Sequence, residues 1–436
     1  MSSVAEVRLW GDRIGAVQLA DDTDVAVFQF DPNFLGSGIE VAPLVMPLRR
    51  RPYAFPELSR LSFHGLPGLL ADSLPDKFGD ALINAWLAEQ GRSPGDFSAI
   101  DRLCYIGMRA MGALEFFPAK GPRSTQSKAL SLDALVELAS LVLTKRSEFV
   151  ASFHDDDRAQ AVKDILLVGT SAGGARAKAL IAYNPATGAV RSGQVSVEPG
   201  FEHWILKFDG VSGNRDKDLD DPLGYGAIEF AYSQMAKSAG IEMSECRLLK
   251  EGGRRHFMTR RFDRLPNGDK VHMQSLAALR HYDFNQAGAN SYEQAFDTIK
   301  RLHLGMAAIE QQFRRMTFNV LARNQDDHVK NISFLMNRDG VWSLAPAFDL
   351  TYAYRPGGPW TGTHQMSING KRDDFVLEDF RACSRVAGMQ RGRAQAISSE
   401  VAEAVGRWMS FADAAKVGER QAERIGAAHD AVLLTL

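Results

Sequence analysis

Asn324-Gln-Asp-Asp-His-Val-Lys-Asn331 is a polar segment that stands between two apolar ones. Before it, apolar residues such as Phe313, Phe318 and Leu321 recur at helical spacing, and after it the apolar segment 332–336 has the pattern of a strand. A short loop between two such elements projects its polar side chains from a fixed scaffold. The sequence therefore predicts a polar loop held between a helix and a strand.

Asp326 and Asn331 are five positions apart in this loop. The catalytic loop of protein kinases has this spacing, with an aspartate that orients the attacking hydroxyl and an asparagine that binds Mg²⁺. A carboxylate can accept a hydroxyl proton, and an amide oxygen binds a hard cation without adding charge. The alternative for the loop taken alone is a solvated turn, because Asp and Asn are common in turns. We predict Asp326 as the catalytic residue and Asn331 as a metal ligand.

Asp349 stands 18 residues after Asn331. The segments 332–336 and 341–344, joined by the turn Asn337-Arg-Asp-Gly340, predict a hairpin. A hairpin returns the chain to its starting point, so Asp349 is expected beside Asn331 as the second oxygen ligand of Mg²⁺. A lone Asp after a strand is otherwise commonly a cap or turn residue.

Lys207 and Glu229 are the candidates for the ion pair that a kinase uses to hold the ATP phosphates. Lys207 ends the apolar strand pattern Trp204-Ile-Leu-Lys207, and Glu229 lies in a stretch with helical spacing. The alternatives are a lysine on the solvent face of an edge strand and a surface glutamate.

The glycine-rich turn at 168–178 contains Gly173 and Gly174. Glycines allow backbone N–H groups to approach phosphate oxygens closely, so both residues are candidate ATP contacts. The turn matches neither of the common phosphate-binding glycine motifs, and alone it is a weak signal.

The segment 257–264 has the pattern of a strand followed by a loop. It is predicted to be a hinge whose backbone binds adenine around Arg260 and Phe262. Glycine-rich loop, strand lysine, helix glutamate, hinge, Asp–Asn loop and strand-borne Asp follow one another in the order of a kinase fold. This order, rather than any single part, predicts a nucleotide-binding kinase-like core.

The chain is predicted to be α+β, with a small N-terminal α+β domain at 1–120. Alternating apolar residues predict antiparallel strands within 5–48, and 102–117 is predicted to return to strand. The polar stretch 120–128 is the predicted linker.

The remainder, 129–436, is predicted to be a protein-kinase-like two-lobed core. Its N-lobe is expected at about 129–265, and its largely helical C-lobe at about 266–436. The 51 Lys and Arg residues against 53 Asp and Glu residues leave a net charge of −2, which excludes a global basic field for binding nucleic acid.

The polar N-terminus, the absence of a long apolar run and three widely spaced cysteines suggest a cytoplasmic protein that does not bind membranes.

These motifs resemble those of HipA-type serine/threonine kinases, the toxins of bacterial type II toxin–antitoxin pairs. Gly68-Leu-Leu-Ala-Asp-Ser-Leu-Pro-Asp-Lys-Phe-Gly79 is similar to an LPDSWG-like segment of that family. The stretch 102–116 is similar to the region that follows it, and Asp326-Asp-His-Val-Lys-Asn331 to the DxHxKN loop.

The resemblance implies a role for several residues. Asp326 would be catalytic, Asn331 and Asp349 would bind Mg²⁺, and Lys207 would bind the ATP phosphates. Ser171 would be autophosphorylated, which would eject its loop and silence the kinase; Thr170 is the alternative acceptor.

His328 is counted among the ATP-binding residues, because we expect its hydrogen bonds to organise the catalytic loop beside the nucleotide. Asp327 stands where many members have Gly, and the spacing to Asn331 favours Asp326 over Asp327 as the catalytic residue.

The resemblance also implies partners. These are a HipB-like helix-turn-helix antitoxin, operator DNA contacted mainly through that antitoxin, and a protein substrate such as an aminoacyl-tRNA synthetase. The rival interpretations are a regulatory binding module with little chemistry and a small-molecule phosphotransferase. Trp342 and Trp360 are expected to serve packing rather than ligand binding.

Overall fold

The structure is a computed structural model that describes residues 4–20, 23–121, 130–144, 159–168, 176–193, 199–211, 215–216, 219–220 and 223–434. Within these ranges it is a mixed helix-and-sheet protein, as predicted, with a smaller N-terminal domain followed by a larger core. Most of the predicted linker at 120–128 lies outside the described residues. The same holds for Thr170, Ser171, Gly173 and Gly174.

A four-stranded antiparallel sheet is the centre of the N-terminal domain. Its strands are β1 (Val4–Leu9), β2 (Asp12–Leu19), β3 (Ala26–Phe30) and β4 (Leu114–Phe117), in the order β3-β2-β1-β4. Buried and more exposed side chains alternate along β1 and β3, which is the pattern of a sheet with one face on a core. The strands predicted within 5–48 are present up to Phe30, and a short 3₁₀ turn, Phe34–Gly36, follows them.

Helices pack beside this sheet: α1 (Arg60–Phe63), α2 (Gly68–Ala71), α3 (Lys77–Glu89) and α4 (Ala99–Ile106). The strand predicted over 102–117 is therefore wrong in its first half. Ser98 Oγ accepts a hydrogen bond from the N–H of Asp101 (3.1 Å), and Asp101 Oδ2 accepts one from the N–H of Ser98 (3.1 Å). This capping box starts a helix where the apolar residues alone were interpreted as a strand.

A five-stranded antiparallel sheet forms the first part of the larger core. Its strands are β5 (Lys178–Tyr183), β6 (Val190–Ser192), β7 (Glu202–Lys207), β10 (Cys246–Glu251) and β11 (Arg254–Arg260); β8 (Arg215–Asp216) and β9 (Leu219–Asp220) pair separately. The helices of this part are α5 (Leu132–Thr144), α6 (Ala159–Val168) and α7 (Tyr225–Ser238). The order β10-β11-β7-β5-β6 places β7 in the middle of the sheet.

The C-terminal part is largely helical, as predicted. Its helices are α8 (Leu276–Arg280), α9 (Tyr292–Arg301), α10 (Gly305–Leu321), α11 (Leu377–Ala387), α12 (Arg393–Gly406), α13 (Trp408–Ala414) and α14 (Glu419–Leu433). A three-stranded antiparallel sheet contains β12 (His272–Ser275), β14 (Ser333–Met336) and β15 (Trp342–Leu344), while β13 (Asn290–Ser291) pairs in parallel with β16 (Met366–Ser367). Strands β14 and β15 are the predicted hairpin. In the part of the chain that the structure describes, no helix could cross a membrane.

The N-terminal domain is hydrogen-bonded directly to the C-terminal part. Ser275 Oγ donates to Asp72 Oδ1 (2.7 Å), and Gln274 Nε2 donates to the carbonyl oxygen of Val41 (2.6 Å). Because Gln274 and Ser275 belong to β12, these bonds hold the N-terminal domain beside the sheet that carries the predicted hairpin.

Candidate active site

The loop at 324–331 follows α10 and leads into β14, as predicted. Asn331 closes it in two ways: its N–H donates to the carbonyl oxygen of His328 (2.9 Å), and its Nδ2 donates to that of Asp326 (2.8 Å). Because the amide nitrogen of Asn331 is used inside the loop, its Oδ1 is the atom suited to a cation.

Asp326 is partly buried and contacts an aromatic side chain that lies far along the sequence. The indole N–H of Trp360 donates to Asp326 Oδ1 (2.5 Å). The sequence indicated packing for Trp360, and the structure adds a hydrogen bond from its polar atom to the predicted catalytic carboxylate. Trp342, by contrast, packs at the contact with the N-terminal domain, where its indole N–H donates to the carbonyl oxygen of Glu40 (3.2 Å).

Asp327 points into the protein and has a side-chain exposure of 0%. Its carboxylate accepts hydrogen bonds from Tyr292 Oη (2.7 Å), the backbone N–H of Gln365 (2.8 Å) and His364 Nδ1 (2.9 Å). Burial would raise the pKa of Asp327, but His364 and these hydrogen bonds hold it below the ordinary value. A substrate hydroxyl cannot reach a carboxylate so enclosed, which favours Asp326 as the catalytic residue.

Lys207 lies at the end of the central strand β7, so the edge-strand alternative is wrong. Its Nζ is 2.5 Å from Glu229 Oε1, and Glu229 is buried on α7, so the surface alternative for Glu229 is wrong as well. The same Nζ contacts Asp349 Oδ1. The structure therefore brings Lys207 and Glu229 together, as predicted, and adds a contact with Asp349, which the sequence had placed beside Asn331.

Nearby charges together outweigh burial in shifting the pKa values of Lys207 and Asp349. Burial opposes both charges, but Asp349 and Glu229 raise the pKa of Lys207 above its ordinary value. Likewise, burial would raise the pKa of Asp349, but Lys207 together with Lys178 and Arg176 lowers it to about 2. Asp349 is thus a carboxylate at neutral pH, ready to bind a cation.

A second lysine, Lys178, lies beside this cluster. It begins β5, its Cα pairs with that of Lys207 across the sheet, and its side chain is 4% exposed. Its Nζ is 3.3 Å from Oδ2 of Asp76, the residue that caps α3 in the N-terminal domain by accepting a hydrogen bond from the N–H of Gly79 (2.6 Å). We missed this contact from the sequence, although Asp76 and Lys178 both stand in segments that were singled out.

The predicted hinge runs from β11 towards β12. Arg260 ends β11, where its Nη1 lies 3.3 Å from Glu202 Oε1. The ring of Phe262 lies 5.8 Å from that of Phe348, the residue before Asp349. The segment thus connects the five-stranded sheet to the three-stranded sheet. The proposed contacts of Arg260 and Phe262 with adenine stay a prediction.

His328 does not make the side-chain hydrogen bonds that we expected. Its Nδ1 is buried and has no hydrogen-bond partner among the described residues, and its ring lies 5.9 Å from that of Phe284. Its backbone carbonyl, not its ring, organises the loop by accepting from Asn331. The ring lines a cavity of about 20 Å³ whose other walls include Asn324, Asn331 and Asp349.

Asn331 and Asp349 are the two predicted metal ligands, and they line the same cavity. An amide oxygen and an ionised carboxylate suit Mg²⁺, which ordinarily keeps several waters and binds few protein groups together with substrate phosphates. Within the described ranges, no group of three or more His, Cys, Asp or Glu residues could hold a metal alone. Asn331 and Asp349 therefore fit a cation that is also bound by the phosphates of a substrate.

Comparisons with known proteins bear on both parts of the chain. Residues 5–117 match the model of the HipA N-terminal domain, and residues 170–409 match that of the HipA-like C-terminal domain. A search of curated proteins gave no match.

Among solved structures, the chain is similar to one from the complex of the Shewanella oneidensis MR-1 toxin–antitoxin system HipA, HipB and its operator DNA. The TM-score is 0.68 and the identity 18%, over 99% of this chain and 96% of that chain, which shows a shared fold. A similarity to the Helicobacter pylori proinflammatory kinase CtkA, with a TM-score of 0.39 and 13% identity over 54% of this chain and 88% of that one, is too weak to support a conclusion. The two family models cover most of the sequence, and the chain belongs to the HipA family.

Proposed function

We propose that the chain is a serine/threonine protein kinase that transfers the γ-phosphoryl group of ATP to a protein hydroxyl and acts as the toxin of a toxin–antitoxin pair. The observation that carries the proposal is the meeting of Lys207 with Glu229 and Asp349, beside the loop of Asp326 and Asn331. A pseudokinase that only binds partners has no need of this full set of side chains.

Lys207 is the residue proposed to hold the α- and β-phosphates. Glu229 fixes its position from α7, and the raised pKa of Lys207 keeps it charged. In their contact, the charges of Lys207 and Asp349 neutralise each other. When ATP binds, its phosphate oxygens would take over part of the neutralisation of Lys207.

Asn331 and Asp349 would hold Mg²⁺, which in phosphoryl transfer neutralises the charge that develops on the phosphate oxygens. Asp326 would orient the serine or threonine hydroxyl of the substrate and accept its proton. Gly173, Gly174 and the backbone around Phe262 would complete the nucleotide site.

Regulation by autophosphorylation is the second part of the proposal, with Ser171 or Thr170 as the acceptor. These residues precede Arg176 and Lys178, whose side chains lie close enough to Asp349 to lower its pKa. A phosphate in this segment would bring negative charge close to these cations beside the proposed ATP site.

The partners follow from the family. The Shewanella complex contains HipB and operator DNA, and we propose that this chain binds a comparable helix-turn-helix antitoxin and reaches DNA mainly through it. The near-neutral net charge of −2 favours indirect contact with DNA. The proposed substrate is a protein serine or threonine, with an aminoacyl-tRNA synthetase as the kind of target that the family implies.

Mass spectrometry of the purified protein tests the proposal. Phosphatase-treated wild type is incubated with Mg-ATP beside Asp326→Ala and the control Asp430→Ala, whose side chain is exposed on α14. We expect one phosphate on the peptide that contains Thr170 and Ser171 in wild type and control, and none in Asp326→Ala. ATP binding without any phosphate gain in wild type would contradict kinase activity and favour the regulatory binding module.

A further inference from the structure

Asp326 and Asp327 are neighbours in the sequence but face opposite ways. Asp326 contacts Trp360 at the site, whereas Asp327 is enclosed among Tyr292, His364 and Gln365. Three hydrogen bonds on a fully buried carboxylate hold it firmly, and two of them come from one segment, 360–366. Asp327 thus anchors the segment 360–366 to the catalytic loop.

Residues of the segment 360–366 link Asp327 to the catalytic residue Asp326 through further hydrogen bonds. Gln365 donates its backbone N–H to Asp327 Oδ1 (2.8 Å), and its side-chain Nε2 to the carbonyl oxygen of Trp360 (2.5 Å). Trp360 then donates its indole N–H to Asp326 Oδ1 (2.5 Å). These hydrogen bonds form a chain, here called the circuit, that runs from Asp327 through Gln365 and Trp360 to the adjacent Asp326.

We infer that Asp327 is a positioning residue and that Trp360 orients the catalytic carboxylate of Asp326 through this circuit. The inference rests on the proposed kinase function and names residues of the same site. A carboxylate held by a donor on one oxygen is restricted in its rotation, which helps to align it with the substrate hydroxyl. Phosphoryl transfer depends on such alignment, because a displacement of about 1 Å can lower the rate roughly 100-fold.

Trp360→Phe removes the indole N–H and keeps an aromatic ring. We expect autophosphorylation by Mg-ATP to slow roughly 10- to 100-fold, with unchanged affinity for a fluorescent ATP analogue, because Lys207 and Asp349 are untouched. The matched control is Trp342→Phe, which loses an indole hydrogen bond to Glu40 instead and should keep the wild-type rate. A wild-type rate in Trp360→Phe, or an equal loss of rate and nucleotide affinity, would overturn the inference.

Asp327→Asn tests whether the buried aspartate acts through Trp360. We expect a slower rate with unchanged nucleotide affinity, and a double variant with Trp360→Phe that is no slower than the slower single variant. Multiplied effects in the double variant would mean that Asp327 acts independently of Trp360. Thermal unfolding of each variant shows whether a rate loss reflects a weakened fold.

A measurement that needs no enzymatic activity separates this inference from the proposed function. The six tryptophans are labelled with ¹⁵N, and their indole N–H resonances are recorded for wild type, Asp326→Asn and Asp327→Asn. The Trp360 resonance, assigned by its loss in Trp360→Phe, should move in both Asp variants, while the Trp342 resonance stays. If wild type proves inactive but the Trp360 resonance moves, the proposed function fails and the circuit stands; an unmoved resonance rejects the circuit.

Discussion

Two lysines on neighbouring strands of the five-stranded sheet, Lys178 and Lys207, have partners of different origin. Lys207 is paired with Glu229 and Asp349, all within the larger core, whereas Lys178 is paired with Asp76 of the N-terminal domain. Their Cα atoms are partners in the same ladder. Both cations therefore belong to the larger core, and the N-terminal domain contributes the carboxylate of Asp76 that pairs with one of them.

The two aspartates that pair with these lysines also differ in the direction of their pKa shifts. At Asp349, burial is outweighed by Lys207 together with Lys178 and Arg176, which lower the pKa to about 2. At Asp76, burial outweighs Lys178 and raises the pKa. In the pair within the core, nearby cations therefore determine the direction of the aspartate's pKa shift. In the pair between domains, burial determines it.

The largest effect is expected from Lys207→Met. The substitution removes the central cation and leaves Glu229 buried without it, so we expect phosphate incorporation to fall by a factor of roughly 100 or more. The measurement is transfer from radiolabelled ATP. Lys250→Met, an exposed lysine on β10 of the same sheet, should transfer phosphate like wild type. Equal activity of the two variants would show that Lys207 does not serve the nucleotide.

Asp349→Asn is expected to have the next largest effect. It keeps the shape of the side chain but removes the charge that would bind Mg²⁺ and that contacts Lys207. We expect transfer to fall roughly 10- to 100-fold at low Mg²⁺ and to recover partly at high Mg²⁺. A titration of rate against Mg²⁺ concentration measures this. A parallel loss at all Mg²⁺ concentrations would speak against a metal role.

Asp76→Asn tests the contribution of the N-terminal domain. The variant keeps an oxygen to cap α3 but removes the carboxylate charge that holds Lys178 in position, so we expect ATP to bind roughly 3- to 10-fold more weakly. Isothermal titration with ATP gives the Kd. The control is Glu89→Gln, exposed at the other end of α3, which should bind ATP like wild type. An unchanged Kd in Asp76→Asn would confine the nucleotide site to the core.

The smallest effect is a difference in the pH dependence of stability. The pKa of Asp349 is depressed, so its contribution to stability is present above the ordinary value of 3.8 and is lost as pH falls towards about 2. The pKa of Asp76 is raised, so its contribution is fully present below the ordinary value of 3.8 and is lost as pH rises above 3.8 through the raised pKa.

Urea unfolding of wild type, Asp349→Asn and Asp76→Asn between about pH 3 and pH 6 measures the two contributions. The free-energy difference between wild type and Asp349→Asn should grow with pH, and that between wild type and Asp76→Asn should shrink. Differences that change in the same direction would contradict the assigned ionisation.

The parts of the site that depend on local sequence could be predicted. The loop with Asp326 and Asn331 and the hairpin before Asp349 follow from spacing and periodicity, whereas the pair of Lys207 with Glu229 was predicted from the order of parts in a kinase fold. The α+β class and the helical C-terminal part follow from the same signals.

The parts that were missed depend on contacts between distant segments. Trp360 reaches Asp326 from 34 positions away, and Asp76 reaches Lys178 from the other domain. The apolar residues after Arg102 were compatible with helix and strand, and the capping box at Ser98 was the overlooked signal. The ring nitrogen Nδ1 of His328 has no partner among the described residues, and the backbone of His328 is what bonds to Asn331.

The most direct test of the site is a crystal structure of the chain with Mg²⁺ and a non-hydrolysable ATP analogue. We expect the phosphates on Lys207, the metal on Asn331 Oδ1 and the Asp349 carboxylate, and the γ-phosphate facing Asp326. A nucleotide bound elsewhere, or a metal that ignores both Asn331 and Asp349, would contradict the proposed site.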